Sequence, residues 1–304
     1  MEQLMRSAQA GRIVHALLFT GPRGTGKKAM AEIFARAVLC EGEKAPCDVC
    51  AACKKCLNGN HPDVHFVAPE KNTIKVDQIR ELTDALSLAS YEGGKKIAII
   101  ERADSMNESA QNALLKTLEN PTGDTLFFLL TDAPGVLLPT IVSRCLQVRF
   151  TCLDAQDCAQ VLVNRGIEEK RAQLLSALSQ GSVGRALEID ADADYLPLRD
   201  RVIEALEGLK GPADVAKAAA RIGEAKGREN AIFEIMELWA RDLMRVQNGA
   251  VPLDAGSIAK LKQSKYSGSA LLKRVMLARQ QLSANLSWAN VLETMFFQLS
   301  RDER

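Results

Sequence analysis

The sequence GPRGTGKK occupies positions 21–28, one residue after the apolar run ALLF at 16–19. Its spacing fits the phosphate-binding loop G-x-x-x-x-G-K-[ST], which joins a strand to a helix. Gly21, Gly24 and Gly26 would let the backbone present N–H groups to phosphates, and Lys27 would add a positive charge near the terminal phosphates. The alternative interpretation of this glycine-rich stretch is a plain tight turn.

The last position of the motif departs from the pattern. Lys28 stands where a Ser or Thr hydroxyl should hold Mg²⁺, and an ammonium group cannot ligate a metal. A second apolar run at 96–100 leads into Glu101, at the place of a metal-linked acid, and Arg102, at the place of an acid that polarises water. Because Arg stays protonated it cannot act as a base. The sequence therefore predicts a nucleotide site that includes Lys28 and Glu101 but has lost hydrolysis.

Two further polar residues follow buried runs. Thr131 ends the run at 126–131 and could face the terminal phosphate, although a strand-end hydroxyl that caps a turn is an equal alternative. For Asp104 we predict an N-cap, with Glu108 in the following helical turn.

The fold class follows from the continuous apolar runs, which are typical of parallel strands covered on both faces. We predict strands at 15–19, 64–67, 96–100, 126–131 and 146–150, with helices at 27–40, 76–88, 107–118 and 137–142 between them. This alternation predicts an open α/β sheet of the nucleotide-binding kind.

After residue 150 the strand pattern stops and helical spacing takes over. Helices are predicted at 154–165, 168–179, 185–188 and 198–206, and apolar residues recur at helical spacing in 232–244 and 271–299. We predict three domains: an α/β domain at 1–152, a small helical domain at 153–207, and a helical domain at 208–304.

Composition sets limits on function. The 304 residues are 47% hydrophobic and 25% charged with a net charge of +1, so no strong overall field attracts nucleic acid or a membrane surface. No apolar run reaches the roughly 18 residues of a membrane span, and the start of the chain lacks the apolar core of a signal peptide. We therefore expect a cytoplasmic protein.

Eight cysteines are present, and five of them fall between positions 40 and 56. In a reducing compartment such a cluster indicates a metal site, and structural Zn²⁺ takes four ligands. The cluster offers five candidates for these four places: Cys40, Cys47, Cys50, Cys53 and Cys56. With every place filled by protein, the ion would be structural. Absence of a metal is the remaining alternative.

Several longer motifs carry a family resemblance. They are LLPTIVSRC at 137–145, ALLKTLENP at 113–121, HPD at 61–63, HALLF at 15–19 and ARQQLSANL at 278–286. Together they resemble the clamp-loader subunits of the AAA+ class, which serve bacterial DNA polymerase III, and the resemblance covers nearly the whole chain.

The resemblance implies a role for Arg144, the Arg of Ser-Arg-Cys, which in this family reaches into the ATP site of the neighbouring subunit. A guanidinium there stabilises charge in the transition state. An Arg that only braces the strand end is the alternative. An intact arginine finger beside a damaged phosphate loop implies a stator: a component of the polymerase holoenzyme with weak or absent ATP binding and no ATPase activity of its own.

The implied partners are the gamma/tau and delta clamp-loader subunits, with the sliding clamp and primer-template DNA inside the assembly.

The resemblance assigns Zn²⁺ to Cys40, Cys47, Cys50 and Cys53, with Cys56 in place of Cys40 as the alternative. It implies an AAA+ domain followed by a helical lid and a helical collar that joins five subunits. Arg185, at the start of a lid helix, could touch a γ-phosphate, and a solvated or interface Arg is an equal alternative. Family members usually carry a longer lead segment before the first strand to hold adenine, which implies either still weaker nucleotide binding here or a truncated chain start.

Three other functions are alternatives at this stage, of which an AAA+ helicase or recombination motor is disfavoured by the Ser-Arg-Cys context and the cysteine cluster. Two remain open. One is an active gamma/tau-type clamp-loader ATPase, against which Lys28 and Arg102 weigh. The other is an unrelated zinc-containing DNA-binding protein, which the near-zero net charge disfavours.

Overall fold

The chain divides into two compact units, the first ending at Cys152 and the second beginning at Leu153. The computed structural model describes residues 14–225 and 227–301, so the lead segment named above lies mostly outside the described residues. A parallel sheet forms the centre of the first unit. Its strands are β1 (Ala16–Thr20), β2 (Val64–Val67), β3 (Lys96–Ile100), β4 (Thr125–Thr131) and β5 (Leu146–Arg149), in the spatial order β2-β3-β4-β1-β5.

Helices connect these strands along the chain. They are α1 (Lys27–Leu39), α2 (Ala51–Leu57), α3 (Val76–Ser87), α4 (Glu108–Glu119) and α5 (Pro139–Val142). Because parallel strands need crossover connections, the helices lie on the faces of the sheet and bury it.

Successive residues of β1 show why the strands are continuously apolar. Leu17 and Phe19 pack with Phe34 of α1 on one face. Ala16 and Leu18 belong to a second core that contains side chains of α3 and α4. Since consecutive side chains of a strand point to opposite faces, a sheet covered twice needs an apolar residue at every position. The predicted open parallel α/β sheet is confirmed.

The strand order determines which loops meet at the carboxyl edge of the sheet. Strand β1 pairs with β4 so that Thr20 lies opposite Thr131, and β3 pairs with β4 on its other side. The loop after β1 therefore lies beside the residues that follow β4, as in open α/β sheets where ligands bind outside the strands' carboxyl ends.

All regular elements described in the second unit are helices. Its helices are α6 (Ala155–Asn164), α7 (Glu169–Leu178), α8 (Val183–Ala191), α9 (Tyr195–Glu207), α10 (Val215–Gly223), α11 (Glu229–Gln247), α12 (Ile258–Gln263), α13 (Gly268–Ser283) and α14 (Trp288–Leu299). The predicted helical character of this part is confirmed.

One apolar core serves the second unit. It extends from Cys158 of α6 to Leu299 of α14, and α9 packs against both α10 and α11. The core is thus continuous past position 207, and a division there into lid and collar stays a prediction. Across the described ranges, no helix has the length and apolar character needed to cross a membrane.

Two local features differ from the sequence predictions. Helix α2 lies inside the cysteine cluster, where no helix was predicted. The Cys spacing there is typical of a metal-binding loop, although the Ala and Lys residues between the cysteines favour a helix.

The predicted N-cap role of Asp104 is wrong, since Asp104 lies in a short 3₁₀ turn. Asn107 caps α4 instead, and its side chain accepts a hydrogen bond from the Ala110 N–H at 2.8 Å. Asn107 holds the position directly before Glu108, as a capping side chain must.

Candidate nucleotide, arginine and metal sites

The loop after β1 has the backbone shape that its glycines allow. Gly21 has φ of 143°, and a Cβ there would lie 2.1 Å from the carbonyl oxygen of Phe150, so only glycine fits. Gly26, with φ of 87°, precedes the first residue of α1. The predicted strand–loop–helix context of a phosphate-binding loop is therefore present, with Gly24 also in the left-handed region.

Lys27 is buried and its ammonium group is fully engaged by the protein. Its Nζ donates to the carbonyl oxygens of Gly21 at 2.6 Å and Pro22 at 2.8 Å, and to Oδ1 of Asp132 at 2.6 Å. An ammonium group has three N–H donors, so these contacts use all of them. A phosphate could bind Lys27 only by displacing one of these acceptors.

Lys28 pairs with the acid that was predicted to be metal-linked. Its Nζ lies 2.9 Å from Oε2 of Glu101, and this hydrogen bond raises the pKa of Lys28 above its usual value. The pair places a positive charge where a metal ion would have to bind Glu101. Arg102 is exposed and has φ of 50°, a left-handed conformation that is uncommon for a residue with a side chain.

Thr131 is buried at the end of β4, where it contacts neighbouring loops. Its Oγ1 donates to Oδ1 of Asp104 at 2.7 Å and accepts the N–H of Ala133 at 3.0 Å. Sequence reasoning missed that Asp104 and Asp132 belong to this site. Both follow the carboxyl ends of adjacent strands, so the placement of acids after apolar runs was the signal that could have identified them.

Arg144 follows α5 and precedes β5 in the first unit. Its side chain is 35% exposed, and Nη2 lies 2.6 Å from Oε1 of Glu119, the last residue of α4. Nη1 donates to the carbonyl oxygen of Thr140 at 2.9 Å. These contacts hold the guanidinium group between the ends of α4 and α5.

Arg185 belongs to the second unit, near the start of α8. Its guanidinium group pairs with Glu234 of α11 and with Glu188, and it lies 5.5 Å from the ring centroid of Tyr195. Arg185 therefore connects three helices of the second unit through ion pairs and a cation–π contact.

Four cysteines of the cluster come together. The Sγ atoms of Cys40, Cys47, Cys50 and Cys53 all lie within 4.8 Å of one another. Zn–S bonds of about 2.3 Å place the sulfurs of a tetrahedral site about 3.8 Å apart, so this set can hold a zinc ion after small adjustments. Cys56 is not a member of the group found among the described residues.

Backbone N–H groups favour the thiolate form that a metal requires. N–H groups of Val49 and Cys50 lower the pKa of Cys47 to about 6, and the N–H of Cys53 lowers the pKa of Cys50. Burial instead raises the pKa of Cys53. A bound cation would offset this burial penalty because it stabilises the deprotonated sulfur.

The cysteine cluster is attached to the rest of the first unit at several points. Cys40 directly follows α1, and Arg36 of that helix pairs with Asp48 at 3.0 Å. Lys55 of α2 pairs with Glu92 in the segment before β3. A Cβ at Gly42 would lie 3.0 Å from Sγ of Cys47, so the loop between the first two cysteines packs closely against the sulfurs.

Comparison with known proteins identifies the family. A family model described as "DNA polymerase III, delta subunit" matches residues 1–154. DNA polymerase III subunit delta' of Bacillus subtilis (strain 168) is 31% identical over 312 residues, covering 98% of this chain and 94% of the relative.

DNA polymerase III subunit tau of the same organism is 35% identical over 206 residues, but the match covers 62% of this chain and 36% of tau. A DNA polymerase III gamma subunit-related protein of Thermotoga maritima has a similar structure, with a TM-score of 0.53 at 17% identity. The match covers 100% of this chain and 99% of that structure, and it supports the fold alone.

The delta' relative thus matches along nearly its whole length, whereas the tau relative matches over about a third. This rules out the alternative of an unrelated zinc-containing DNA-binding protein. The chain belongs to the DNA polymerase III delta' family of AAA+ clamp-loader subunits.

Proposed function

We propose that this chain acts as the delta' stator of a DNA polymerase III clamp loader. In this role it lends Arg144 to the ATP site of an adjacent gamma/tau motor subunit and does not hydrolyse ATP itself. The observation that carries the proposal is the engagement of all three Lys27 donors by Gly21, Pro22 and Asp132.

Three features of the candidate nucleotide site argue against catalysis. A phosphate must compete with a carboxylate for Lys27, and hydrogen bonds to charged groups contribute about 1.5–3 kcal/mol each. Mg²⁺ must compete with the ammonium group of Lys28 for Glu101. Arg102 cannot accept a proton from an attacking water. Nucleotide binding, Mg²⁺ binding and the activation of water are therefore opposed by different residues, so one compensating substitution would not restore ATP turnover.

Arg144 has the properties required of a group that acts on another subunit. Its side chain is about one-third exposed, and it carries a planar set of N–H donors that matches phosphate geometry. An arginine presented to the γ-phosphate stabilises the negative charge that spreads over the transferring group, an effect of about 10³-fold or more on the rate.

The rest of the chain would support this placement. Four thiolates at Cys40, Cys47, Cys50 and Cys53 would hold a structural Zn²⁺, and the helical second unit would serve as lid and collar. In the assembly the chain would act with gamma/tau and delta subunits to load the sliding clamp on primer-template DNA.

The test is Arg144→Ala in a reconstituted clamp loader. Other motor sites are inactivated by substituting their phosphate-loop lysines, so that ATP turnover reports on the site that faces this chain. We expect turnover to fall by about 10³-fold because the transition-state charge loses its partner. Arg149→Ala is the control, since Arg149 is an exposed arginine on β5 without an ion pair among residues 14–225 and 227–301.

Unchanged turnover with Arg144→Ala would overturn the proposed function. Mg²⁺-dependent ATP hydrolysis by the purified chain would favour the gamma/tau-type motor instead.

A further inference from the structure

The contacts of Arg144 come from two separate elements. Oε1 of Glu119 lies 2.6 Å from Nη2, and the Thr140 carbonyl oxygen accepts from Nη1 at 2.9 Å. Glu119 ends α4, and Thr140 belongs to the short helix α5. Two terminal nitrogens of one guanidinium are therefore fixed by two helix ends, which restricts both the position and the rotation of its plane.

Glu119 is poorly placed for the stability of its own helix. The carboxyl end of a helix carries partial negative charge, so a carboxylate in the last turn is unfavourable unless a cation neutralises it. Arg144 supplies that cation. Helix stability alone would favour a neutral or basic residue at position 119. Lys116 lies in the same last turn, but the ion pair of Glu119 is with Arg144.

The two contacts leave part of the guanidinium group available. Arginine has five N–H donors, and the contacts with Glu119 and Thr140 use one on each terminal nitrogen. The Nε–H and the second N–H of each terminal nitrogen take no part in them. Glu119 can therefore hold Arg144 while other donors of the same group face a phosphate.

We infer that Glu119 is a positioning residue for Arg144: it fixes the guanidinium in the orientation in which the neighbouring ATP site receives it. The inference rests on the proposed function. A positioned group gives up less conformational freedom when the transition state forms, so the benefit appears in the rate of the chemical step rather than in ATP binding.

The expected effect is moderate because both side chains are partly exposed. Exposed ion pairs contribute up to about 1 kcal/mol, which corresponds to roughly a fivefold change in rate. Glu119→Gln keeps the side-chain shape and removes the charge. It should lower kcat at the adjacent motor site by about fivefold and leave KM for ATP unchanged, as the Thr140 contact remains.

The experiment compares four chains in the reconstituted clamp loader in which only the site facing this chain turns over. They carry Glu119→Gln, Arg144→Ala, both changes, or Glu81→Gln. Glu81 is the matched control, since it is an exposed carboxylate on α3 without an ion pair or side-chain hydrogen bond in the described part of the chain. The melting temperature of each chain shows whether it folds.

We expect the double variant to match Arg144→Ala, because Glu119 acts only through Arg144. A further loss in the double variant would overturn the inference, as would a changed KM. An increase of kcat with Glu119→Gln would also overturn it and would show that Glu119 withholds Arg144 instead. If Arg144→Ala lowers turnover but Glu119→Gln does not, the inference alone fails. If neither variant lowers it, the proposed function fails.

Discussion

The two ends of helix α1 carry two arrangements that could bind a ligand, and they differ in how their groups are used. At the amino end, Lys27 donates all its N–H groups to atoms of the chain. At the carboxyl end, Cys40 begins a group of four sulfurs that lie within 4.8 Å of one another, and those of Cys40, Cys47 and Cys50 accept backbone N–H groups. Both loops have the backbone shape of a binding site. Only in the cysteine cluster do the candidate ligand atoms, the four sulfurs, face one another as they would around a metal ion.

The difference shows that a loop can keep the backbone conformation of a binding motif while its side chains no longer favour binding the ligand. The left-handed glycines maintain the phosphate loop even though Asp132 and Glu101 neutralise its two lysines. In the described part of the chain no lysine or arginine side chain hydrogen-bonds to the four sulfurs, and deprotonated sulfurs close together repel one another unless a cation is bound. We therefore propose that the chain has kept its metal site while its nucleotide site has become part of the scaffold.

Of the two loops, the metal site should show the larger effect, and two similar substitutions sharpen the comparison. Cys40→Ser removes one of the four grouped sulfurs, whereas Cys56→Ser changes a cysteine outside the group. Changing even an outer partner of a metal ligand costs about 10- to 100-fold in affinity, so losing a ligand should cost at least about 100-fold. We expect Cys40→Ser to purify with little zinc and a lowered melting temperature, and Cys56→Ser to retain one zinc per chain.

Atomic emission gives the zinc content of both variants, and titration with a chelator gives their zinc affinity. The opposite result, with zinc lost from Cys56→Ser and kept by Cys40→Ser, would replace Cys40 with Cys56 as the ligand. Zinc absent from the unsubstituted chain would contradict the metal site altogether.

A smaller effect is expected at the phosphate loop. Asp132→Ala removes the carboxylate that competes with phosphate for Lys27, and losing a charged hydrogen bond of about 1.5 kcal/mol corresponds to roughly a tenfold change in affinity. We expect affinity for ATP without Mg²⁺ to rise by about that factor, measured with a fluorescent ATP analogue.

The control for this change is Asp124→Ala. Asp124 pairs with Lys95 just before the start of β4, at the opposite edge of the sheet from the phosphate loop. Equal affinity for the Asp132 variant, the Asp124 variant and the unsubstituted chain would mean that Asp132 does not oppose phosphate binding.

The elements whose structure depends on local pattern were predictable from the sequence. The strands at 64–67 and 96–100 have the predicted bounds because a doubly covered strand must be apolar at each position. Gly21 and Gly26 were predictable because a phosphate loop requires backbone conformations that other residues avoid. The four cysteines were proposed by resemblance, and the fold brings their sulfurs together.

Contacts between residues distant in the chain were not predictable. Nothing local to Asp132 indicates that it accepts from Lys27, and Glu119 is separated from Arg144 by a strand and a short helix. The misassigned cap at Asp104 has the same origin, since its carboxylate is used by Thr131 from the neighbouring strand. The order of the strands in the sheet brings such pairs together, and local sequence patterns do not specify that order.

The central claim is that the phosphate loop binds ATP weakly or not at all and that the chain acts through Arg144. Calorimetric titration of the purified, zinc-replete chain with ATP, with and without Mg²⁺, tests the first half of this claim most directly. The account predicts no heat of binding in either condition, because Lys27 and Lys28 are both paired within the chain. Tight Mg²⁺-dependent binding would mean that the Lys27–Asp132 and Lys28–Glu101 pairs open readily. It would contradict the stator role and favour a gamma/tau-type motor subunit instead.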